Sequence, residues 1–380
     1  MKTLSSTSAR IDLDNLRFNF RSARQFIGPN VKYMAVVKAD AYGHGAVPCS
    51  RALADEGVDW LCVARIEEAV ELREAGIKTP LLCLGRFWQG QESLLIEREI
   101  TPVIFTSDQA MLLNNAAASQ QKPFAAHVKI DTGMGRVGIR DEVLDEFVAT
   151  LTHLKNLKID GLMTHFAVAD DLEQTEFTRN QIKRFYSAVN RFRLAGFDPR
   201  YLDLANSPGA VAHRESRGNM VRLGGILYGL GRDVLPQSIA NPELRPVMSL
   251  STRIAQIKHV SAGESLGYGR TFTTRRDSLI ATISAGYADG LRRDLSNRGR
   301  VIVRGRFAPI VGRVSMDWTI IDVTEIEGAA IGDEVVLIGN SGDLSITAED
   351  VAQQIGTISY EVTCGITRRV PRLYSPSSVA

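Results

Sequence analysis

The stretch Met34–Ala46, MAVVKADAYGHGA, decides the fold. Its apolar run MAVV ends on Lys38, and Tyr42 and His44 follow closely, each beside a glycine. A lysine at the end of a buried strand can simply extend its amine into water. Alternatively, the strand delivers the amine to a site where several strands end together. The placement of the other polar residues along the chain distinguishes these two interpretations.

Composition limits the classes of protein to consider. The chain has 380 residues, and single cores stop growing at roughly 250 to 300 residues, so we expect two domains. Its net charge is +2, and no basic run is interleaved with aromatic residues, which argues against a nucleic-acid partner. We expect a soluble, cytoplasmic protein without a membrane segment, because we find neither an apolar leader nor a long uncharged apolar span.

The cysteines give little support for disulfide or metal chemistry. The four of them are scattered without a CxxC pair, which argues against a disulfide framework and against a zinc site. They are Cys49, Cys62, Cys83 and Cys364. We therefore expect no metal.

Eight short apolar runs alternate with amphipathic stretches, which is typical of successive βα units. The runs are YMAVVKAD, WLCVAR, PLLCLG, TPVIF, AAHVKID, LKIDGLMTHF, YLDLANS and NMVRLGGILYG. Helical patterns such as IEEAVELREAG and DEVLDEFVATLTHL lie between them, and the amphipathic IDLDNLRFNFRSARQFIG precedes the first run. Eight such units over roughly 230 residues predict a (β/α)8 barrel of the TIM type.

The pattern changes after Tyr228. The segment LPQSIANPELRP carries three prolines in twelve residues and indicates a linker. Beyond it come short β-rich runs broken by glycines, with one expected helix at Ala348–Ile355. We predict an α/β protein with the barrel at residues 1–240 and a mostly β domain at residues 241–380.

Polar residues follow five of the predicted barrel strands. In barrels of this type the chemistry lies at the carboxyl ends of the strands, and a phosphate site is common after strands seven and eight. The residues at these ends are Lys38, Lys129, Asp131, Arg136, His165, Asn206, Ser207, Arg222, Gly224 and Gly225. A lysine amine near a phosphate site can form a Schiff base with pyridoxal phosphate, which is an electron sink for chemistry at an amino-acid α-carbon.

Seven motifs also carry a family resemblance over nearly the whole chain. In chain order, AVVKADAYGHG, KIDTGMGRVG, MTHFAVAD, NMVRLGGILYG, LGYGRTF, AGYADG and GRVSMD resemble the motif series of the alanine racemases. The resemblance implies a pyridoxal-phosphate enzyme, a homodimer of a barrel and a β domain. It also implies that the enzyme interconverts L- and D-alanine and supplies D-alanine for bacterial peptidoglycan.

The resemblance implies two bases that act through an external aldimine. Lys38 matches the lysine that holds the cofactor and acts on one face of the α-carbon, and Tyr268 matches the base that the partner subunit supplies on the other face. His165 matches the residue linking that tyrosine to Arg222, which matches the arginine at the pyridine nitrogen. Because a guanidinium is effectively always charged, it leaves that nitrogen unprotonated, which favours racemisation over transamination or decarboxylation.

Other matches concern the remaining parts of the cofactor and the substrate. Arg136 resembles the residue that contacts the cofactor's phenolic oxygen and the substrate carboxylate, and Lys129 resembles a lysine that is often carbamylated. Tyr287 and Met316 match residues on the partner's side of the site. The residues matching cofactor-binding positions around the phosphate are Tyr42, Asn206, Ser207, Gly224, Gly225 and Tyr360. Gly225 stands where the family usually has isoleucine, Ser315 stands where it often has cysteine, and TCGITRRV departs from the usual run.

Three alternatives stand beside this interpretation. GMGRVG, residues 133–138, satisfies G-x-G-x-x-G with Asp160 downstream, which is a nucleotide fingerprint. However, four βα units precede it, whereas a dinucleotide fold usually starts with it, so a nicotinamide dehydrogenase is disfavoured. The second alternative is a racemase of broader specificity, for example for serine. The third is a non-catalytic pyridoxal-phosphate carrier, although such carriers lack a second domain.

Overall fold

The computed structural model describes residues 5–375, which form a closed barrel and a β-rich second domain. The described part begins with strand β1 (Ser8–Ile11) and helix α1 (Leu13–Ile27). Helix α1 begins where the side chain of Asp12 accepts a hydrogen bond from the backbone N–H of Asn15 at 2.9 Å. It ends at Ile27 and is capped by Gly28, whose φ of 109° a residue with a Cβ rarely adopts.

Eight parallel strands then close into the barrel, which confirms the predicted fold class. They are β2 (Lys32–Val36), β3 (Trp60–Val63), β4 (Leu81–Cys83), β5 (Ile100–Ile104), β6 (Phe124–Lys129), β7 (Leu157–Met163), β8 (Tyr201–Ala205) and β9 (Met220–Leu223). Strand β2 pairs with β9 to complete the ring, with Met34 opposite Arg222. The strands are buried on both faces, which is why they read as continuous apolar runs in the sequence.

Helices follow the barrel strands and cover them. They are α2 (Lys38–Gly43, a single turn with left-handed backbone), α3 (Ala46–Asp55), α4 (Ile66–Glu74), α5 (Glu92–Glu97), α6 (Ser107–Ser119), α7 (Leu144–Thr152), α8 (Thr175–Leu194) and α9 (Ser207–Ala212). Helix α8 buries one apolar face, including Phe185 and Phe192, and ends at Leu194, with Ala195 as its C-cap. The carboxyl ends of the strands therefore open at one mouth, where the polar residues of the sequence collect.

The second domain is mostly β, as predicted. Its strands are β10 (Met248–Val260), β11 (Ser265–Leu266), β12 (Phe272–Thr273), β13 (Ser278–Ile283), β14 (Arg300–Val303), β15 (Arg306–Pro309), β16 (Thr319–Asp322), β17 (Glu334–Ser341), β18 (Leu344–Ile346) and β19 (Arg372–Tyr374). The expected helix α10 (Ala348–Ile355) is present. A second helix, α11 (Ser359–Cys364), was not predicted, because its six residues include Tyr, Val and Thr, which favour strands.

Strand β1 joins the sheet of the second domain instead of the barrel. It pairs antiparallel with β10, with Ser8 opposite Ser251, and parallel with β19, with Ala9 opposite Arg372. The predicted barrel range of residues 1–240 included this strand, and the division near residue 240 stays a prediction. One large apolar core extends from the barrel into the second domain, so the two parts pack directly. Within residues 5–375, the helices are all too short or too polar to cross a bilayer.

Candidate active site

Lys38 follows the first barrel strand, which ends at Val36, and begins a turn of unusual backbone conformation. Residues 39–42 all have φ between 52° and 55°, which is the left-handed region. This costs a residue with a Cβ roughly 1 to 2 kcal/mol. Two carboxylates hold the turn: Glu68 accepts the N–H of Ala39 at 2.6 Å, and Asp40 accepts the N–H of Ala46 at 2.7 Å. The turn fixes the direction in which the chain leaves Lys38.

Arg222 lies on β9 and is held from several sides. Its side chain is 3% exposed, and Nη2 donates to the carbonyl oxygen of Thr164 at 2.7 Å. Nη2 also lies 3.3 Å from Nδ1 of His165. A second contact joins Nη1 to the carboxylate of Asp203, which is completely buried. The guanidinium is therefore fixed in position below the mouth of the barrel.

The contact between Arg222 and His165 determines where the histidine proton lies. Burial, followed by the charge of Arg222, lowers the pKa of His165 from 6.5 to about 2. The imidazole is therefore neutral at neutral pH. Because an arginine can only donate, Nδ1 must accept and the proton must lie on Nε2. His165 thus offers an N–H donor on the side away from Arg222.

Lys129 ends β6, close to further positive charge. Burial first, and then the charges of Arg222 and Arg136, lower its pKa from 10.5 to about 8. About one tenth of the amine is therefore uncharged at pH 7, far more than for an ordinary lysine. Such an amine can act as a nucleophile.

Two glycines after β9 leave room for two tyrosine side chains. A Cβ on Gly224 would lie 2.7 Å from the hydroxyl oxygen of Tyr42, and one on Gly225 would lie 2.1 Å from the ring of Tyr360. The backbone N–H of Gly224 also donates to Oγ of Ser207 at 2.9 Å. Burial raises the pKa of both tyrosines, so their hydroxyls remain hydrogen-bond donors. Hydroxyl donors gathered at the end of β9 suit an anion such as a phosphate.

The structure brings most of the sequence-predicted residues into one cavity of about 780 Å³. Its lining includes Lys38, Tyr42, Lys129, Arg136, His165, Asn206, Ser207, Arg222, Gly224 and Tyr360. Gly225 lies directly behind Tyr360. Asn206 also positions this wall, because its side chain accepts the N–H of Gly209 at 3.1 Å and begins helix α9.

Three predicted residues lie elsewhere, on the surface of the second domain. Tyr268 is 70% exposed, Tyr287 is 42% exposed and Met316 is 52% exposed. Met316 is adjacent to the loop of Tyr287, since its carbonyl oxygen accepts the N–H of Ala288 at 3.0 Å. One chain alone therefore does not bring these residues to the cavity.

Two features of the site were missing from the sequence interpretation. Asp203 contacts Arg222, and its signal in the sequence was a carboxylate inside the apolar run YLDLA. Cys364 lines the cavity from helix α11, and nothing in the sequence marked it.

The nucleotide fingerprint at residues 133–138 lies in the loop after β6 of a closed barrel, whereas a dinucleotide fold has an open, doubly wound sheet. Asp160 lies on β7, where its carboxylate pairs with the amine of Lys158 at 2.8 Å.

Comparison with known proteins agrees with this architecture. The model of the alanine racemase N-terminal domain matches residues 11–232, and that of the alanine racemase C-terminal domain matches residues 247–374. The chain belongs to the alanine racemase family. It is 45% identical to the alanine racemase of Halothermothrix orenii over 370 residues, covering 97% of this chain and 96% of the relative.

Solved structures show the same similarity. The alanine racemase from a D-cycloserine-producing Streptomyces lavendulae has a TM-score of 0.93 and 35% identity, and the match covers 99% of this chain and 98% of that one. The alanine racemase of Bartonella henselae, which was solved with covalently bound pyridoxal phosphate, has a TM-score of 0.88 and 30% identity. That match covers 97% of this chain and 99% of the other.

Proposed function

We propose that this protein is a pyridoxal-phosphate-dependent alanine racemase that works as a homodimer with shared active sites. The observation that carries the proposal is the arrangement of Arg222 and His165 in the same cavity as Lys38. A fixed guanidinium, a neutral imidazole and a lysine amine are the groups that the family motifs require at the barrel mouth. The proposed role is the supply of D-alanine for peptidoglycan from the cytoplasm, where the four free thiols would stay reduced.

The residues present fit the cofactor. The two glycines let Tyr42 and Tyr360 pack against the backbone after β9, and the cavity is lined there by these two tyrosines and by Ser207. These groups would hold the phosphate, Lys38 would bind the aldehyde carbon, and Arg222 would face the ring nitrogen. When bound, pyridoxal phosphate supplies the electron sink that makes the α-proton of an amino acid labile.

The protein residues would then move one proton between two faces of the substrate. The amine of Lys38 takes or returns it on one face, and Tyr268 of the partner subunit does so on the other. The Nε2–H of His165 is available to donate to the phenolic oxygen of that tyrosine. Arg222 can only donate hydrogen bonds, so it cannot accept one from a protonated ring nitrogen and would keep that nitrogen unprotonated. This favours return of the proton to the α-carbon over transamination.

Arg136 and Lys129 would bind the substrate carboxylate and brace its binding site. A guanidinium is a planar fork of donors that matches a carboxylate. With its pKa lowered to about 8, Lys129 has enough uncharged amine to react with carbon dioxide. The resulting carbamate is an anion that would fix Arg136 through a charge-assisted hydrogen bond.

The first experiment measures α-proton exchange and racemisation together. Purified protein loaded with pyridoxal phosphate is incubated in deuterated water with L-alanine, L-serine and other L-amino acids, and NMR and a chiral assay follow the products. We expect deuterium at the α-carbon and D-alanine, both lost in Lys38→Ala. Faster turnover of serine would indicate a broader racemase. Bound cofactor without exchange on any amino acid would instead indicate a non-catalytic carrier.

Subunit mixing tests the shared site. Lys38→Ala and Tyr268→Phe should each be inactive, because each lacks one base in every site. In a mixed dimer both changes fall in one site and the other is intact, so random reassociation should restore about one quarter of the wild-type activity. No recovery in verified mixed dimers would mean that both bases come from one chain.

A further inference from the structure

We propose that Asp203 is a positioning residue that sets the net charge behind the racemase site, acting through Arg222. This inference rests on the proposed function, since its effect would reach the cofactor and the two bases through Arg222. Asp203 lies on β8, is completely buried, and has its carboxylate against Nη1 of the guanidinium. Among the described residues, neither carboxylate oxygen accepts a further well-aligned hydrogen bond.

The orientation of Arg222 does not require this carboxylate. Three backbone carbonyls accept from the guanidinium: those of Thr164 at 2.7 Å, Asp203 at 3.2 Å and Leu204 at 3.4 Å. His165 adds a fourth contact at 3.3 Å. A neutral acceptor in place of the carboxylate would satisfy the same N–H group. What the carboxylate adds that the other partners lack is its negative charge.

The charges facing Asp203 explain what its negative charge does. Burial raises the pKa of Asp203 above its usual value. The direct contact with Arg222 on β9 and the charge of Lys129 on β6 oppose this rise and favour the ionised carboxylate. The thiol of Cys62 faces it from β3 and is kept protonated by burial, which raises its pKa. His165, beyond Arg222, is neutral. Asp203 therefore offsets a cationic group that would otherwise act at full strength on the bound ring nitrogen and on both bases.

This compensation distinguishes the pair from an ordinary structural ion pair. Buried ion pairs are often replaceable by apolar side chains without loss of stability, so stability alone does not account for a carboxylate here. A bare guanidinium would lower the pH at which nearby bases take up protons. In a medium of effective dielectric constant ~20, one charge removed at ~10 Å shifts such a titration by about one pH unit.

The test compares Asp203→Asn with the wild type, both loaded with pyridoxal phosphate. We expect the acid limb of the pH profile of kcat/KM, and any titration of the visible cofactor band, to move to lower pH by about one unit. Asp160→Asn is the matched control. It also removes a mostly buried carboxylate that pairs with two basic residues, Lys158 at 2.8 Å and Arg200 at 3.7 Å. The control should lose stability without moving the profile, and an unmoved profile in Asp203→Asn as well would overturn the proposal.

A second variant covers failure of Asp203→Asn to fold and works without cofactor. Asp203→Ala leaves space for formate, a small carboxylate. Formate should raise the unfolding temperature of the cofactor-free variant and restore the pH profile of the loaded one, whereas formamide, a neutral molecule of similar shape, should not. Equal effects of formate and formamide would refute charge compensation. Absence of cofactor binding and turnover in the wild type would refute the proposed function, and the formate result would still decide the role of the carboxylate.

Discussion

The left-handed turn after Lys38 stores conformational strain, and replacing Ala39 with glycine measures it. Ala39 is exposed, so the change removes little packing, and its φ is 52°. Glycine relieves a cost of roughly 1 to 2 kcal/mol for an L-residue in this region, but adds about 0.5 to 1 kcal/mol of backbone entropy to the unfolded chain. The N–H that donates to Glu68 is kept. We expect the free energy of unfolding to rise by about 0.5 to 1 kcal/mol.

Urea unfolding followed by circular dichroism gives the difference, and a second variant provides the sign control. Ala149 is also exposed, but it lies within the right-handed helix α7. Glycine there should cost about 0.5 to 1 kcal/mol, because no strain is relieved. The two alanine-to-glycine changes should therefore act in opposite directions. Equal losses of stability in both variants would show that the turn is not strained.

Three further predictions concern buried groups. Burial lowers the pKa of His44 and of His127 from 6.5 to about 4. As the pH falls below 6.5, these histidines become protonated in the unfolded chain while they stay neutral in the folded one. Urea titrations should therefore show that the free energy of unfolding falls by roughly 2 kcal/mol per histidine between pH 7 and pH 5. Because the pKa of Lys129 is about 8, carbonate-free buffer should lower activity, bicarbonate should restore it, and Lys129→Gln should not respond. Gly225→Ala should weaken binding of pyridoxal phosphate, because the added Cβ displaces Tyr360. The loss of affinity should be smaller in a Tyr360→Ala background, whereas additive losses of affinity would show that the two residues are not coupled.

The barrel was predictable because its strands are buried on both faces. Each strand therefore appears as an apolar run, and the amphipathic stretches between runs fix the order of elements. The rule that active sites lie at the carboxyl ends of barrel strands then placed Lys38, His165 and Arg222 at one mouth. In the structure these three residues do line one cavity, and no other sequence signal was needed to predict this.

Other features had no local signal. Strand β1 is four residues long, and only its pairing with β10 and β19 assigns it to the second domain. The left-handed turn contains two alanines, which do not favour that conformation, so contacts such as the bond from Ala39 to Glu68 must impose it. Asp203 was visible as a charge within an apolar strand, but its partner Arg222 is contributed by the next strand in the barrel.

The proposed division of the site between the barrel of one subunit and the Tyr268 surface of its partner has a physical consequence. The residues proposed to hold the cofactor lie at the ends of buried strands, whereas Tyr268 is 70% exposed in the single chain. Substitutions on the Tyr268 surface should therefore leave the free energy of unfolding of one chain nearly unchanged, since exposed positions contribute little to it. They should instead lower activity through subunit association, and raising the protein concentration should restore turnover. Asp203→Asn should instead change the free energy of unfolding of one chain, because it removes a buried charge whether or not a second subunit is present. Raising the protein concentration should not reverse its effect on activity.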